Sequence, residues 1–222
     1  MATNFPSSLD TLTNPTSPDS LASPSHSAQH ANVNDAVEAL QAKVGVDGSA
    51  VTSSLDYKVA NQGLVLVKTQ TIGSGVSSVT VTDAFSSTFD TYRIVICVDD
   101  SSAATAITVK FGATASGYRW SVYGWRVNAS SFSANSTSSA YCYFGSTSAT
   151  DGGMSTTDVF TPYEAKQTRY SGNGGYFDTA SGFAEFHAGI DPSSTSYTGF
   201  TVAPESGTMT GGTIRVYGYN NG

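Results

Sequence analysis

The hydrophobic positions of this chain follow two periods, and the change falls at about residue 64. In residues 25–44, Val33, Val37, Leu40 and Val44 recur at intervals of four, three and four. That spacing places them on one face of a helix. Ala36 and Ala39 widen the stripe. Ser25, after Pro24, is an N-cap candidate, with Asn32 as a later start, and Gly45 is a stop signal. The segment from Val33 to Val44 spans only about 18 Å. A helix this short is marginal alone, so its stripe needs a partner. A four-three repeat is the seam of a coiled coil, which predicts association with copies of itself. The competing reading lays the stripe on the β-rich part of the same chain.

From Leu64 onward apolar and polar residues alternate, the period of half-buried strands. Val79 and Val81 alternate with threonine and serine. Tyr92, Ile94, Ile96 and Val98 share one face, with Arg93, Val95, Cys97 and Asp99 on the other. Ile107, Val109 and Phe111 follow, then Tyr118–Val127. Further strands are expected at residues 140–145, 158–163, 176–177, 184–190, 197–202 and 213–219. In the connector, Leu55 and Tyr57 alternate with polar neighbours and predict a short strand. Turn signals divide the runs, among them Asp99-Asp100-Ser101, Gly172-Asn173-Gly174-Gly175 and Gly211-Gly212. The expected class is mainly β: an antiparallel β-sandwich of about nine to eleven strands, with a jelly roll as the leading topology.

The first 24 residues obey neither period. Four of the seven prolines fall here, among Ser, Thr, Asn and Asp, which excludes a helix or a central strand. Yet Phe5, Leu9, Leu12 and Leu21 are spaced along the segment, and disordered segments usually avoid large apolar residues. They are read as the plugs of an extended anchoring arm. The expected division is an arm at 1–24, an oligomerising helix at 25–44, a connector at 45–63 and a β-sandwich tip at 64–222.

Composition narrows the function. Charged residues make up 12% of the chain, against about 25% in ordinary domains, and hydroxyl, amide and glycine residues fill the deficit. This suits an extracellular or virion β-protein. The net charge is −7 and no basic stripe exists, which argues against nucleic-acid binding. No apolar run approaches the length of a membrane span. Met1-Ala2-Thr3-Asn4 carries no basic region and leads into no apolar one, so no signal peptide is expected. Cys97 and Cys142 lie in apolar runs and read as buried small hydrophobes, a disulfide being the weaker alternative.

The segment Ser25-His26-Ser27-Ala28-Gln29-His30-Ala31-Asn32, continuing through Val33-Asn34-Asp35-Ala36-Val37-Glu38-Ala39-Leu40 to Gly48-Ser49, resembles the N-terminal region of structural fibre proteins of tailed bacteriophages. Asn4-Phe5-Pro6-Ser7-Ser8-Leu9-Asp10 and Thr52-Ser53-Ser54-Leu55-Asp56-Tyr57-Lys58 are similar to parts of the same module. The resemblance covers about the first 60 residues. It implies a homotrimer in the virion, an N-terminus bound to other tail or capsid proteins, and a distal head facing the host.

The binding candidates are aromatic. Tyr118, Trp120, Tyr123 and Trp125 lie within eight positions, flanked by Arg119 and Arg126. Sugar C–H faces stack on such rings, and a host-surface glycan is the expected ligand. The same residues also serve as core-fillers in a sandwich. Tyr163, Tyr170, Tyr176 and Tyr197 are read as loop aromatics suited to recognition. Tyr141-Cys142-Tyr143-Phe144 reads as core or subunit interface. His26 and His30 share a helix face, but a third metal ligand is missing unless an oligomer axis supplies copies. No metal or cofactor is expected. Glu185 and His187 share a strand face, either as an acid/base couple or, more simply, as a polar pair on a solvated face. No carboxylate pair points to glycan cleavage, so no enzymatic activity is expected. The alternatives are a head-decoration protein with no receptor role and a polysaccharide-trimming enzyme.

Overall fold

The computed structural model describes residues 25–60, 62–127, 131–177 and 182–220. The anchor residues Phe5, Leu9, Leu12 and Leu21 lie outside the described residues. So does Asn128-Ala129-Ser130, one of two glycosylation-acceptor triplets in the sequence. The chain divides into two units, residues 1–62 and 63–222.

The first unit carries two helices. Helix α1 runs His26–Val44. Ser25 caps it, its Oγ accepting from the Ala28 amide at 3.5 Å. Gly45 ends it in the left-handed region at φ 88°, and its N–H donates to the Gln41 carbonyl at 2.8 Å. No residue of α1 is buried. Val33, Val37, Leu40 and Val44 are 51, 45, 52 and 44% exposed. The half-covered positions Gln29, Asn32, Ala36 and Ala39 form the adjoining stripe. Helix α2, Leu55–Ala60, stands where the alternation of Leu55 and Tyr57 predicts a strand. Ser54 decides the matter. Its Oγ accepts from the Tyr57 amide at 3.2 Å and its carbonyl from the Lys58 amide at 3.2 Å, so Ser54 caps a helical turn.

The second unit is an antiparallel β-sandwich. Its strands are β1 Leu64–Thr71, β2 Val79–Val81, β3 Thr91–Ser101, β4 Thr105–Phe111, β5 Tyr118–Arg126, β6 Ser131–Ser139, β7 Cys142–Thr147, β8 Gly153–Phe160, β9 Thr168–Phe177, β10 Gly182–Asp191, β11 Phe200–Pro204 and β12 Met209–Tyr219. The large sheet has the order β1-β12-β3-β8-β9-β10-β5-β6, and the small one β2-β11-β4-β7. With β5, β6, β9 and β10 set aside, two four-stranded sheets remain, β1-β12-β3-β8 and β2-β11-β4-β7. That is the strand order of a jelly roll. The other four strands are two hairpins, β5–β6 and β9–β10, added beyond β8 to widen one sheet.

The core lies between the sheets. Tyr92, Ile94, Ile96 and Val98 of β3 face inward with Ile214 and Val216 of β12, and meet Val109, Phe111, Phe200 and Val202 of the small sheet. The Phe85 ring bridges them, 4.9 Å from Tyr92 and 5.5 Å from Phe200. Cys142 is buried as expected, but Cys97 is exposed, because the outward parity of β3 places it beside Val95. Both thiols are free. Tyr170, Tyr176 and Tyr197 are 2, 7 and 4% exposed and serve the core, not surface recognition; of the four loop tyrosines only Tyr163 is exposed.

Several segments depart from the pattern. Asp99-Asp100-Ser101 and Gly211-Gly212, turn signals in the sequence, lie inside β3 and β12, which pair with each other through them. Gly172-Asn173-Gly174-Gly175 is the middle of β9, not a surface loop. Close approach explains it: a Cβ on Gly172 would fall 2.3 Å from the Thr156 carbonyl and 2.8 Å from His187 Nε2. Strand β6 has no apolar alternation. It is the sheet's last strand, held by backbone pairing to β5 and by Phe132, which stacks edge-on against Phe183 at 5.1 Å.

Candidate functional site

The added hairpins carry the chemistry. Along β5, side chains alternate between interior and surface, which splits the aromatic cluster of the sequence in two. Tyr118 is fully buried. Its Oη accepts from the Phe111 amide at 3.0 Å and lies 3.3 Å from the Phe111 and Thr114 carbonyls. Trp120 packs against the core, its ring 5.3 Å from Tyr143 and 6.3 Å from Tyr141. These two are core-fillers, so their assignment as ligand-binding residues is corrected.

Tyr123 and Trp125 point outward, 46 and 49% exposed, with rings edge to face at 5.0 Å. Register brings Phe186 of β10 opposite Tyr123. Phe186 is 59% exposed, and its ring lies 6.4 Å from Trp125. Three exposed aromatics thus form one outward patch. Sequence proximity does not reveal Phe186, which sits more than 60 residues downstream. The signal was its parity: it is opposite in phase to Glu185 and His187.

Beside the patch is an open depression of about 510 Å³, lined by Tyr123, Phe186, Ser121, Ser171, Asn173 and Asp158 among others. Arg93 faces Asp158 in register across β3 and β8. Arg93 Nε donates to Oδ1 and Nη2 to Oδ2, both at 2.8 Å, and Tyr219 Oη donates to Oδ1 at 2.8 Å. Partial burial works to raise the Asp158 carboxyl, but the hydrogen bonds from Arg93 and Tyr219 prevail and hold it below its ordinary value. The bond to Asp158 likewise raises Arg93. A hydroxyl, amide and ion-pair surface beside exposed rings combines stacking faces with directional polar partners.

Of the two flanking arginines, Arg119 is exposed on the outward face. Arg126 belongs to the opposite face of the sheet from Trp125. Its guanidinium lies 4.7 Å over the Phe183 ring and 5.6 Å over Phe132. Arg126 is therefore removed from the aromatic patch.

Glu185 and His187 do share a strand face, but it is the interior, at 2 and 3% exposed. The solvated-face reading is corrected: β7 lies over β9 and β10 and covers them. Glu185 Oε2 accepts from Tyr143 Oη at 2.6 Å and Ser146 Oγ at 3.2 Å. His187 Nε2 is 2.8 Å from Thr157 Oγ1. Glu185 Oε1 and His187 Nδ1 have no hydrogen-bond partner. Burial raises the Glu185 carboxyl against the opposing hydrogen bonds, and burial lowers the His187 imidazole to about 4. Glu185 ties β10 to β7, and His187 ties β10 to β8. At this depth neither reaches a bulky substrate.

Among the described residues no group of three or more His, Cys, Asp or Glu converges as for a metal ion. No helix among them is long and apolar enough to cross a membrane. Comparison with family models, curated proteins and solved structures finds no match.

Proposed function

We propose that this chain is a structural fibre protein of a tailed-bacteriophage virion. It assembles as a homotrimer, is anchored to tail or capsid proteins by its N-terminal arm, and projects the β-sandwich as a tip that holds a host-surface glycan. The observation that carries this reading is the uncovered stripe of α1. Four large apolar side chains at four-three spacing, each about half exposed, are the seam of an unassembled coil. The sequence resemblance of the first 60 residues supports the virion setting. The outward patch of Tyr123, Trp125 and Phe186 supports the glycan.

Binding is favoured over cleavage on chemical grounds. Hydrolysis of a glycosidic bond uses two carboxyl groups flanking it. The depression beside the patch offers one, Asp158, and both of its oxygens are engaged by Arg93 and Tyr219. Incubating the full chain with immobilised host-surface polysaccharide tests the reading. Retention that Trp125→Ala abolishes, with no shortening of the polysaccharide, is expected. Shortened products would replace this reading with an enzyme, and no retention on any host polysaccharide would remove the receptor role.

A further inference from the structure

The outward face of the added hairpins carries charge of one sign, at one end of the aromatic patch. Ile190 of β10 stands in register between Arg169 of β9 and Arg119 of β5. Both arginines are exposed, at the outward parity of their strands. Their Cα atoms are two strand spacings apart, about 10 Å. Two residues further along each strand come Ser171, Ala188 and Ser121, which line the open depression. Two further again come Asn173, Phe186 and Tyr123. The depression thus has aromatic rings at one end and two arginines at the other. The ends are four residues apart, about 13 Å, which is longer than a single sugar ring.

Neither arginine is neutralised. Arg169 Nη2 donates to the uncharged Gln167 Oε1 at 3.5 Å. Among the described residues no carboxylate forms an ion pair with Arg119 or Arg169. Asp158, the acid that lines the depression, is already held by Arg93 and Tyr219. In the loop before β9, Glu164 is held by Lys166. The outward positions of β5, β9 and β10 carry the two arginines and no acid, in a chain of net charge −7.

We infer that this sheet face holds an acidic glycan, with a uronic-acid carboxylate at Arg119 and Arg169 and a neighbouring sugar stacked on Tyr123, Trp125 and Phe186. The inference rests on the glycan reading above and specifies its ligand class. A guanidinium fork matches the two oxygens of a planar carboxylate. The Ser121 and Ser171 hydroxyls and the Asn173 amide, between the two ends, suit sugar hydroxyls. The net negative charge of the chain opposes a polyanion at long range, so binding depends on contact at the two arginines and not on steering.

The test measures retention of the full chain on three immobilised polymers: polygalacturonate, the same polymer with its carboxyl groups reduced, and phosphorylated dextran. Retention on polygalacturonate is expected, and weak retention on the other two. Arg119→Gln and Arg169→Gln are each expected to weaken it on the order of tenfold with the thermal midpoint unchanged. Equal retention on the reduced polymer, or arginine variants that bind as the wild type does, overturns the acidic ligand and leaves a neutral glycan in place. Stronger retention on phosphorylated dextran overturns the carboxylate. No retention on polygalacturonate also overturns the inference, whereas the glycan reading stands or falls on the host polysaccharide and Trp125→Ala.

Discussion

Arg93 and Asp158 stand opposite each other across the β3–β8 ladder and are joined by two parallel hydrogen bonds of 2.8 Å. A two-pronged pair of this kind is a fixed geometric unit, which a lysine cannot reproduce. The pair is partly solvated, so its contribution to stability is modest. Arg93→Lys is expected to cost about 1 kcal/mol, read as a lower midpoint in chemical denaturation. The Asp158 carboxyl is held below its ordinary value. Its contribution is therefore complete above about pH 4, the unfolded value, and is lost as pH falls through the folded one. An unchanged midpoint for Arg93→Lys at pH 7 would show the pair to be structurally idle.

The two faces of β5 predict opposite phenotypes from chemically similar substitutions. Tyr118→Phe leaves the buried Phe111 amide without its acceptor, at a cost of about 1–3 kcal/mol, and leaves glycan retention intact. Tyr123→Ala and Trp125→Ala remove half-exposed rings. They are expected to change the thermal midpoint little and to abolish retention. Thermal scans run beside a polysaccharide-retention assay separate the two classes.

The interior pair gives a pH signature with two opposing parts. His187 is held neutral, its value lowered to about 4 by burial, whereas an unfolded histidine titrates near 6.5. Its contribution is full above about pH 6.5 and is lost as pH falls toward 4, on the order of 3 kcal/mol in all. Glu185 is raised by burial. The folded state therefore binds its proton more tightly, and stability rises as pH falls from above that raised value toward about 4.3, the unfolded carboxylate value. The two slopes partly cancel. Glu185→Gln removes the second and is expected to steepen the acid loss of stability between pH 6.5 and 4. His187→Gln is expected to flatten it. Urea midpoints measured across that interval decide.

The stripe of α1 predicts a clean separation of assembly from folding. Val37→Asp or Leu40→Asp introduces one charge per chain into the proposed seam. Each is expected to yield a monomer whose β circular dichroism is unchanged, since no residue of α1 is buried.

The legible parts of this fold were those where period and packing agree. The faces of β3 were readable because Tyr92, Ile94, Ile96 and Val98 alternate strictly and face the opposing sheet. Helix α1 was readable in pattern and at both caps. What escaped was set by tertiary approach. The glycine run in β9 reads locally as a turn, and only the nearness of Thr156 and His187 makes it a strand. Strand β6 carries serine where alternation would carry valine, because its place is fixed by backbone pairing to β5. The candidate site was half legible. Tyr123 and Trp125 could be selected as aromatics, but the phase that separates them from Tyr118 and Trp120 follows from which face β7 covers. Phe186 joins them only through the β5–β10 register, and Asp158 only through the β8–β9 and β9–β10 registers.

One number bears most directly on the account: the mass of this 222-residue chain in solution by light scattering. A self-matching valine and leucine ridge predicts three times the 23.0 kDa protomer, stable on dilution. A single 23.0 kDa species at concentrations where coiled coils persist would contradict the fibre.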